Sequence, residues 1–304
     1  MSLTTGPVVL QAESKGTSLP PIGSRGVVQS VFRRALNLEF SPGNGDTTLV
    51  VVLAPGLPMA SWGCRVQELP TPFEKFISVG APCSFDGQIL TVEGCLRVDF
   101  SSARVWDGGS LPPGGPVRED VRLGLWRFVR RKKLPGFLRL FAPYHSSVRN
   151  DVILGCAGEA AAAMVRARCA RDTAGEAEAA RHLIGLGPGL TPAGDDFLGG
   201  YLAGRFAQSP GGSRDSGVLS FASLLLPYAG ETGIVAQAFL RKALAGNFSE
   251  YIADLARAAV VGGISDEELQ ELAEKVIGFG ATSGADALAG FLTSCFSTVD
   301  FPFE

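Results

Sequence analysis

Residues 185–196 read GLGPGLTPAGDD, a run that cannot be packed helix or regular strand. Four glycines (Gly185, Gly187, Gly189, Gly194) and two prolines (Pro188, Pro192) fall within twelve residues. Glycine permits backbone angles and close approaches that a Cβ forbids, whereas proline fixes φ and removes a donor. The chain then reads FLGGYLAGRFA, with Phe197, Leu198, Tyr201, Leu202 and Phe206 at helical spacing. Thr191 and Pro192 are expected as N-cap and first helical residue. A shaped loop thus meets a helix N-terminus carrying Asp195 and Asp196 in its first turn.

The segment at 278–292, GFGATSGADALAGFL, echoes this pattern ninety residues on. At that offset Gly194 aligns with Gly284, Asp196 with Asp286, Leu198 with Leu288, Gly200 with Gly290, and Tyr201 with Phe291. Both segments predict a turn, a Thr or Ser cap, and a helix with aspartate in its first turn. Two helix N-termini are therefore expected to converge, aiming backbone donors and dipoles at one spot. The residues expected to bind a small anion are Gly187, Gly189, Thr191 and Gly194 from the first segment, with Thr282, Ser283 and Gly284 from the second. Asp195, Asp196 and Asp286 are the candidate catalytic groups. A plainer alternative has Asp196 and Asp286 capping their own helices while the glycines serve tight packing.

Several chemistries lack their residues. No GK[ST] follows the loop, as a P-loop requires, and the GxGxxG spacing of a dinucleotide fold is absent. The only histidines are His145 and His182, and no GxSxG elbow exists. The six cysteines include no CxxC pair, which argues against zinc and for buried structural thiols. No metal site and no cofactor is expected. Mg²⁺ at the aspartates is the one ion to consider, and adjacent helical residues point about 100° apart, so Asp195 and Asp196 would not face it together.

The expected class is α+β, with a small N-terminal β-rich barrel or sandwich followed by a mainly helical C-terminal domain. Residues 1–25 read as a flexible tail, 26–106 as the β-rich domain, 107–116 (DGGSLPPGGP) as a linker, and 117–304 as the helical domain. Strands are expected within 47–54, 74–82, 87–94 and 96–106, between turn-forming segments. The segment 27–40 is expected to begin as strand and continue as a helical turn. Helices are expected at 117–131, 148–171, 174–184, 192–207, 217–229, 232–246, 248–261, 265–278 and 284–296. Residues 1–144 carry a net +5 and residues 145–304 a net −8. Half of the basic residues in the first part lie between Arg118 and Arg139. Leu123, Trp126 and Val129 at helical spacing there indicate a solvated helix face, and an anion-binding or docking surface is the alternative. Nothing suggests nucleic-acid binding, a signal peptide or a membrane span, so a cytoplasmic protein is expected.

The loop GLGPGLTPAGDDFLGG, the later GATSGADALAGFL and the opening VVQSVFRRALNLEF together resemble a bacterial family long of unknown function. That family includes AllH, a subunit of the oxamate carbamoyltransferase of allantoin breakdown, and the likeness runs from about Gly26 to the C-terminus. The resemblance implies two further subunits, an FdrA-like AllF and AllG. It also implies interconversion of oxalurate plus phosphate with oxamate plus carbamoyl phosphate. The segment 231–250 keeps Thr232 and Gly246 but has Val235 and Ala236 where a hydroxyl residue is common. The transcarbamylase phosphate loop Ser-Thr-Arg-Thr is absent, so such chemistry would be convergent. Two other readings stand beside it: a non-catalytic structural or regulatory subunit, and a metal-assisted hydrolase using Asp195, Asp196 and Asp286.

Overall fold

A computed structural model describes residues 6–41, 47–131, 134–141 and 151–297. The chain divides into two units, Met1–Gly108 and Gly109–Glu304.

The first unit is a barrel. Its strands are β1 (Val8–Gly16), β2 (Ser24–Val31), β3 (Ala35–Phe40), β4 (Thr48–Leu53), β5 (Gly63–Val66), β6 (Pro82–Phe85), β7 (Ile89–Val92), β8 (Leu96–Asp99) and β9 (Arg104–Trp106). They run in the order β5-β4-β3-β2-β6-β7-β8-β1-β9, and pairing of β1 with β5 closes the first eight into a ring. Along its other edge β1 pairs with β8 through Val8–Gln11, then with β9 through Ser14–Gly16. Leu10, Val28, Leu38, Phe40, Val52, Leu90 and Val98 fill the interior.

This ring corrects the reading of residues 1–25 as a tail, because β1 closes the barrel. Its alternating burial places Leu10, Ala12 and Ser14 inside, with Gln11 outside. The helical turn expected within 27–40 is instead a hairpin of β2 and β3. Segment 74–82 contains the end of a 3₁₀ turn (Phe73–Lys75) and no strand before Pro82. Segment 96–106 splits into β8 and β9.

The second unit is helical: α1 (Glu119–Arg131), α2 (Val152–Cys169), α3 (Thr173–Arg181), α4 (Ala193–Ala207), α5 (Ser216–Leu225), α6 (Ile234–Leu244), α7 (Glu250–Val261), α8 (Asp266–Ile277) and α9 (Ser283–Cys295). Short 3₁₀ segments cover Gly136–Phe141, Gly212–Arg214 and Leu226–Glu231. The start of α8 has the capping box that SDEEL signals: the Ser265 hydroxyl accepts from the Glu268 N–H, and the Glu268 carboxylate accepts from the Ser265 N–H. Helix α5 ends earlier than 217–229 suggested, where Pro227 enters the following 3₁₀ segment.

The expected linker 107–116 is packed on the helical unit through much of its length. Leu111 is buried, and the Gly114 N–H donates to the Ser209 carbonyl. On α1 the buried stripe is Val121, Leu125, Phe128 and Val129, while Leu123 and Trp126 are half-buried. Arg122 pairs with Glu119, Arg118 pairs with Asp120, and Arg130 lies over the Trp126 ring. Lys132 and Lys133, the rest of the basic run, lie outside the described residues.

Helices α4 and α9 form the centre of this unit. Phe197, Leu198, Tyr201, Leu202 and Phe206 have no exposed surface, and neither do Leu288, Phe291 and Leu292. Helix α4 is apolar on nearly every side, as expected of a helix enclosed by others. Glu176 of α3 is also buried, accepting from the Tyr201 hydroxyl and the Arg205 guanidinium, and this joins α3 to α4.

Candidate functional site

The offset of ninety has a physical counterpart. A Cβ on Gly200 would overlap the Ala287 carbonyl, and one on Gly290 would overlap the Phe197 carbonyl. These contacts exchange when each residue is moved to its aligned position, so α4 and α9 obey a local twofold relation. The helices run parallel, and their N-termini lie at the same end. There the hydroxyls of Thr191 and Ser283 are 3.1 Å apart. The expected convergence of two helix N-termini is a feature of the fold.

The glycines that open the two helices lie beneath the preceding helical segments. A Cβ on Gly194 would overlap the Leu183 carbonyl, and one on Gly284 would overlap the Val276 carbonyl. Both N–H groups are engaged within the chain, Gly194 with Leu186 O at 2.9 Å and Gly284 with Phe279 O at 3.0 Å. These expected anion donors are therefore packing residues. Asp195 and Asp196 N–H both donate to Pro192 O, and Asp286 N–H donates to Thr282 O. In the longer loop, among the described residues, no acceptor engages the N–H groups of Gly187, Gly189 or Thr191. Gly187 and Gly189 have φ of +112° and +105°, outside the range of ordinary side-chain-bearing residues.

The capping expectation also needs correction. Pro192, with φ −52° and ψ 144°, is the N-cap of α4, so the helix begins at Ala193 and Thr191 lies outside it. Thr282 occupies the N-cap of α9 without a side-chain bond to the helix backbone. The Thr191 hydroxyl bonds that of Ser283 instead, and the Thr191 and Thr282 hydroxyls favour the ionised forms of Asp196 and Asp286 respectively.

The three candidate aspartates have different environments. Asp195 is buried; its carboxylate accepts from the Gly185 N–H at 3.2 and 3.3 Å and from the Thr232 hydroxyl at 2.7 Å. It clasps the start of the loop to the segment entering α6. Burial raises its titration point, and the Thr232 and Gly185 bonds oppose that rise. Asp286 is fully enclosed and accepts from the Phe137 N–H at 2.6 Å. Gly136, at φ +59°, leaves the space that this carboxylate fills. Burial again raises the titration point, against the bonds from Phe137 and Thr282. Neither aspartate caps its own helix through the side chain.

Asp196 differs most. Burial pushes its carboxyl up to about 7, Ser283 and Thr191 hydroxyls favour the ionised form, and the charges of Asp286 and Asp195 oppose it. One oxygen of Asp196 and one of Asp286, Oδ2 in each, are shut off from solvent without a hydrogen-bond partner among the described residues. A carboxyl titrating near neutral pH can both give and take a proton under working conditions. Thr191 and Ser283, both partly exposed, lie beside it.

Beside the loop, Arg181 pairs with Glu231 at 3.3 Å and lies over the Tyr228 ring at 4.0 Å. His182 is exposed, and His145 lies outside the described residues. Among the described residues no group of three His, Cys, Asp or Glu side chains is placed to hold a metal ion. Cys64 and Cys83 are buried as expected, whereas Cys156 and Cys169 are exposed on α2. No helix of the described residues is long and apolar enough to cross a membrane. Sequence reasoning missed Gly136, Phe137 and the role of Thr232. The Asp286–Phe137 bond spans 149 positions with no local signal, while the ETG before α6 marked a helix start but not its partner. Val235 and Ala236 are buried in α6, an environment suited to apolar side chains.

No solved structure matches the chain. The family model described as oxamate carbamoyltransferase subunit AllH matches residues 183–295, a span from Leu183, whose carbonyl lies against Gly194, to the end of α9. The AllH family N-terminal domain matches residues 8–105, almost the whole barrel. With most of its length covered by these two matches, the chain belongs to the AllH family of oxamate carbamoyltransferase subunits.

Proposed function

We propose that the chain serves as a subunit of an oxamate carbamoyltransferase and contributes a small-substrate site at the shared N-terminal end of α4 and α9. Family membership supports the coarse assignment. The observation that carries the finer one is the pair of Thr191 and Ser283 hydroxyls, 3.1 Å apart where α4 and α9 begin, close to Asp196, whose carboxyl burial pushes up to about 7. In this reading the N–H groups of Gly187, Gly189 and Thr191, with the two helix dipoles, hold the anionic end of the substrate.

In the synthetic direction the oxamate nitrogen attacks the carbonyl carbon of carbamoyl phosphate. The new C–N bond forms, the bond from that carbon to the phosphate oxygen breaks, and phosphate departs with the electron pair. The proton lost by nitrogen passes through a Thr191 or Ser283 hydroxyl to Asp196. Phosphorolysis of oxalurate runs these steps backwards, with Asp196 returning the proton to the leaving nitrogen. Asp195 and Asp286 hold the surrounding segments in place. The proposed partners are the FdrA-like AllF and AllG subunits.

The test is to assemble this chain with AllF-like and AllG-like subunits and measure carbamoyl phosphate formed from oxalurate and phosphate. Activity is expected to require this chain, and Thr191→Val combined with Ser283→Ala is expected to slow turnover without preventing assembly. Full activity from the other two subunits alone would assign the chain a structural or regulatory role. Loss of activity on chelation, with stoichiometric divalent metal in the active complex, would favour metal-assisted chemistry.

A further inference from the structure

Arg181, the last residue of α3, lies across two side chains of the 3₁₀ segment Leu226–Glu231. Tyr228 and Glu231 are three residues apart there, and residues at that spacing eclipse one another in a 3₁₀ helix. The aromatic ring and the carboxylate therefore share one face. The Arg181 guanidinium carbon stands 4.0 Å from the centre of the Tyr228 ring, and Nη2 reaches Glu231 Oε1 at 3.3 Å. Attraction to the ring face fixes the guanidinium without using a hydrogen-bond acceptor. Among the described residues only Nη2 has a side-chain acceptor, and that bond is long. The Arg181 and Glu231 side chains are 38% and 49% exposed, and an ion pair so open to water is weakly held. An incoming carboxylate can displace Glu231 readily. Arg205 and Arg168, by contrast, are committed to Glu176 and to the Ser294 and Phe296 carbonyls.

This group adjoins the glycine-rich loop. The Arg181 carbonyl accepts from the Ile184 N–H in the turn that leads to Gly185. A Cβ on Gly185 would lie 3.2 Å from the Glu231 carbonyl oxygen, and Gly185 and Thr232 both bond to Asp195. Arg181 and the start of the loop thus meet the same short segment, 231–232. The reaction proposed above brings together two anions, phosphate and the oxalurate carboxylate. The backbone donors of one loop serve one of them, and the other needs a second cationic or N–H-rich position.

We propose that Arg181, held over Tyr228, binds the carboxylate of the oxamate or oxalurate substrate, and that Glu231 occupies the guanidinium until this carboxylate displaces it. This rests on the reading of the loop as part of a small-substrate site and adds a second anion position to it. The ligand class follows from the contact already present: a carboxylate bonds there, and the planar guanidinium fork matches two carboxylate oxygens.

The test measures KM for oxalurate and for phosphate separately in the assembled complex. Arg181→Gln should raise the KM for oxalurate about tenfold or more, as expected for a lost charge-assisted bond, and leave that for phosphate within about twofold. Glu231→Gln should lower the oxalurate KM, because the internal competitor has lost its charge. Both substitutions break the same ion pair, so a merely structural pair would move KM in the same direction in each. An oxalurate KM unmoved by Arg181→Gln, an equal rise for phosphate, or a rise in both variants would overturn the proposal. Full activity from the other two subunits without this chain would instead sink the substrate-site reading. Oxamate titrated into the ¹⁵N-labelled full chain then decides the carboxylate site alone. A shift of the Arg181 Nε–H resonance, with binding weakened about tenfold in Arg181→Gln, would support it, and an unshifted resonance would overturn it.

Discussion

The segments α3–α4 and α8–α9 are built on the same packing scheme and diverge at their loops. Each helix opens with a glycine beneath a preceding carbonyl and crosses its partner through a second glycine. The first loop is three residues longer between equivalent contacts, running from 183 to 194 against 276 to 284. Those extra residues accompany the unengaged N–H groups and three positive-φ glycines, Gly185, Gly187 and Gly189. The first segment also has a buried Tyr201–Glu176–Arg205 network, whereas the residue aligned with Tyr201 is Phe291, which has no hydroxyl to donate. The shared features hold two helices together, and in the proposed reaction the differences supply the chemistry. The shorter loop leads to Ser283 and a carboxylate fixed to Phe137, and the longer one to Thr191 and to Asp196, the proposed proton carrier.

Breaking the shared part should have the largest effect. Gly200→Val would place a branched side chain against the Ala287 carbonyl, and the chain should lose more than about 3 kcal/mol of stability, or fail to fold. Chemical denaturation measures this; a loss below about 1 kcal/mol would mean that the helices can separate freely. Shortening the longer loop by deleting Pro188, Gly189 and Leu190 should leave folding cooperative. In the assembled enzyme it should raise the KM for the anionic substrate by about tenfold, the scale of one or two lost hydrogen bonds. An unchanged KM would place the anion elsewhere.

The carboxylates predict a pH dependence of stability. Burial raises the titration points of Asp195, Asp196 and Asp286 in the folded chain. The folded state therefore binds more protons than the unfolded chain above the ordinary aspartate value of about 4. Their stabilising contribution is complete below that value and declines as pH rises, with the Asp196 part lost through about 7. Denaturation midpoints across pH 4–9 should show this decline, and Asp196→Asn should flatten it and make the chain more stable than wild type at pH 8. A wild-type profile that rises through this window would contradict the assigned shifts. The smallest effect is expected for Thr232→Val, which removes one bond to Asp195 and should cost about 1–2 kcal/mol.

Much of the helical unit was legible because its signals are local. The Ser265 capping box and the apolar spacing after Pro192 depend on residues within a few positions of each other. The paired helices were legible because the repeat keeps Gly, Asp and Gly at a fixed offset, and only parallel packing brings both ends to one place. Strand β1 was not, because its inward positions include the small residues Ala12 and Ser14, and Gln11 and Glu13 alternate with them as in a polar tail. The roles of the aspartates were hidden for another reason. Asp195 and Asp196 are adjacent in sequence, but helical geometry sends one towards Gly185 and Thr232 and the other towards Thr191 and Ser283. The attachment of Asp286 to Phe137 exists only once the chain has folded.

In the proposed reaction the paired helix ends work through Asp196. The most direct measurement is the rate of carbamoyl phosphate formation from oxalurate and phosphate by an assembled complex carrying Asp196→Asn, with assembly checked by size-exclusion chromatography. A fall in kcat of about 100-fold or more is expected, in the range typical of a lost general acid–base group. Turnover equal to wild type in a fully assembled complex would contradict it.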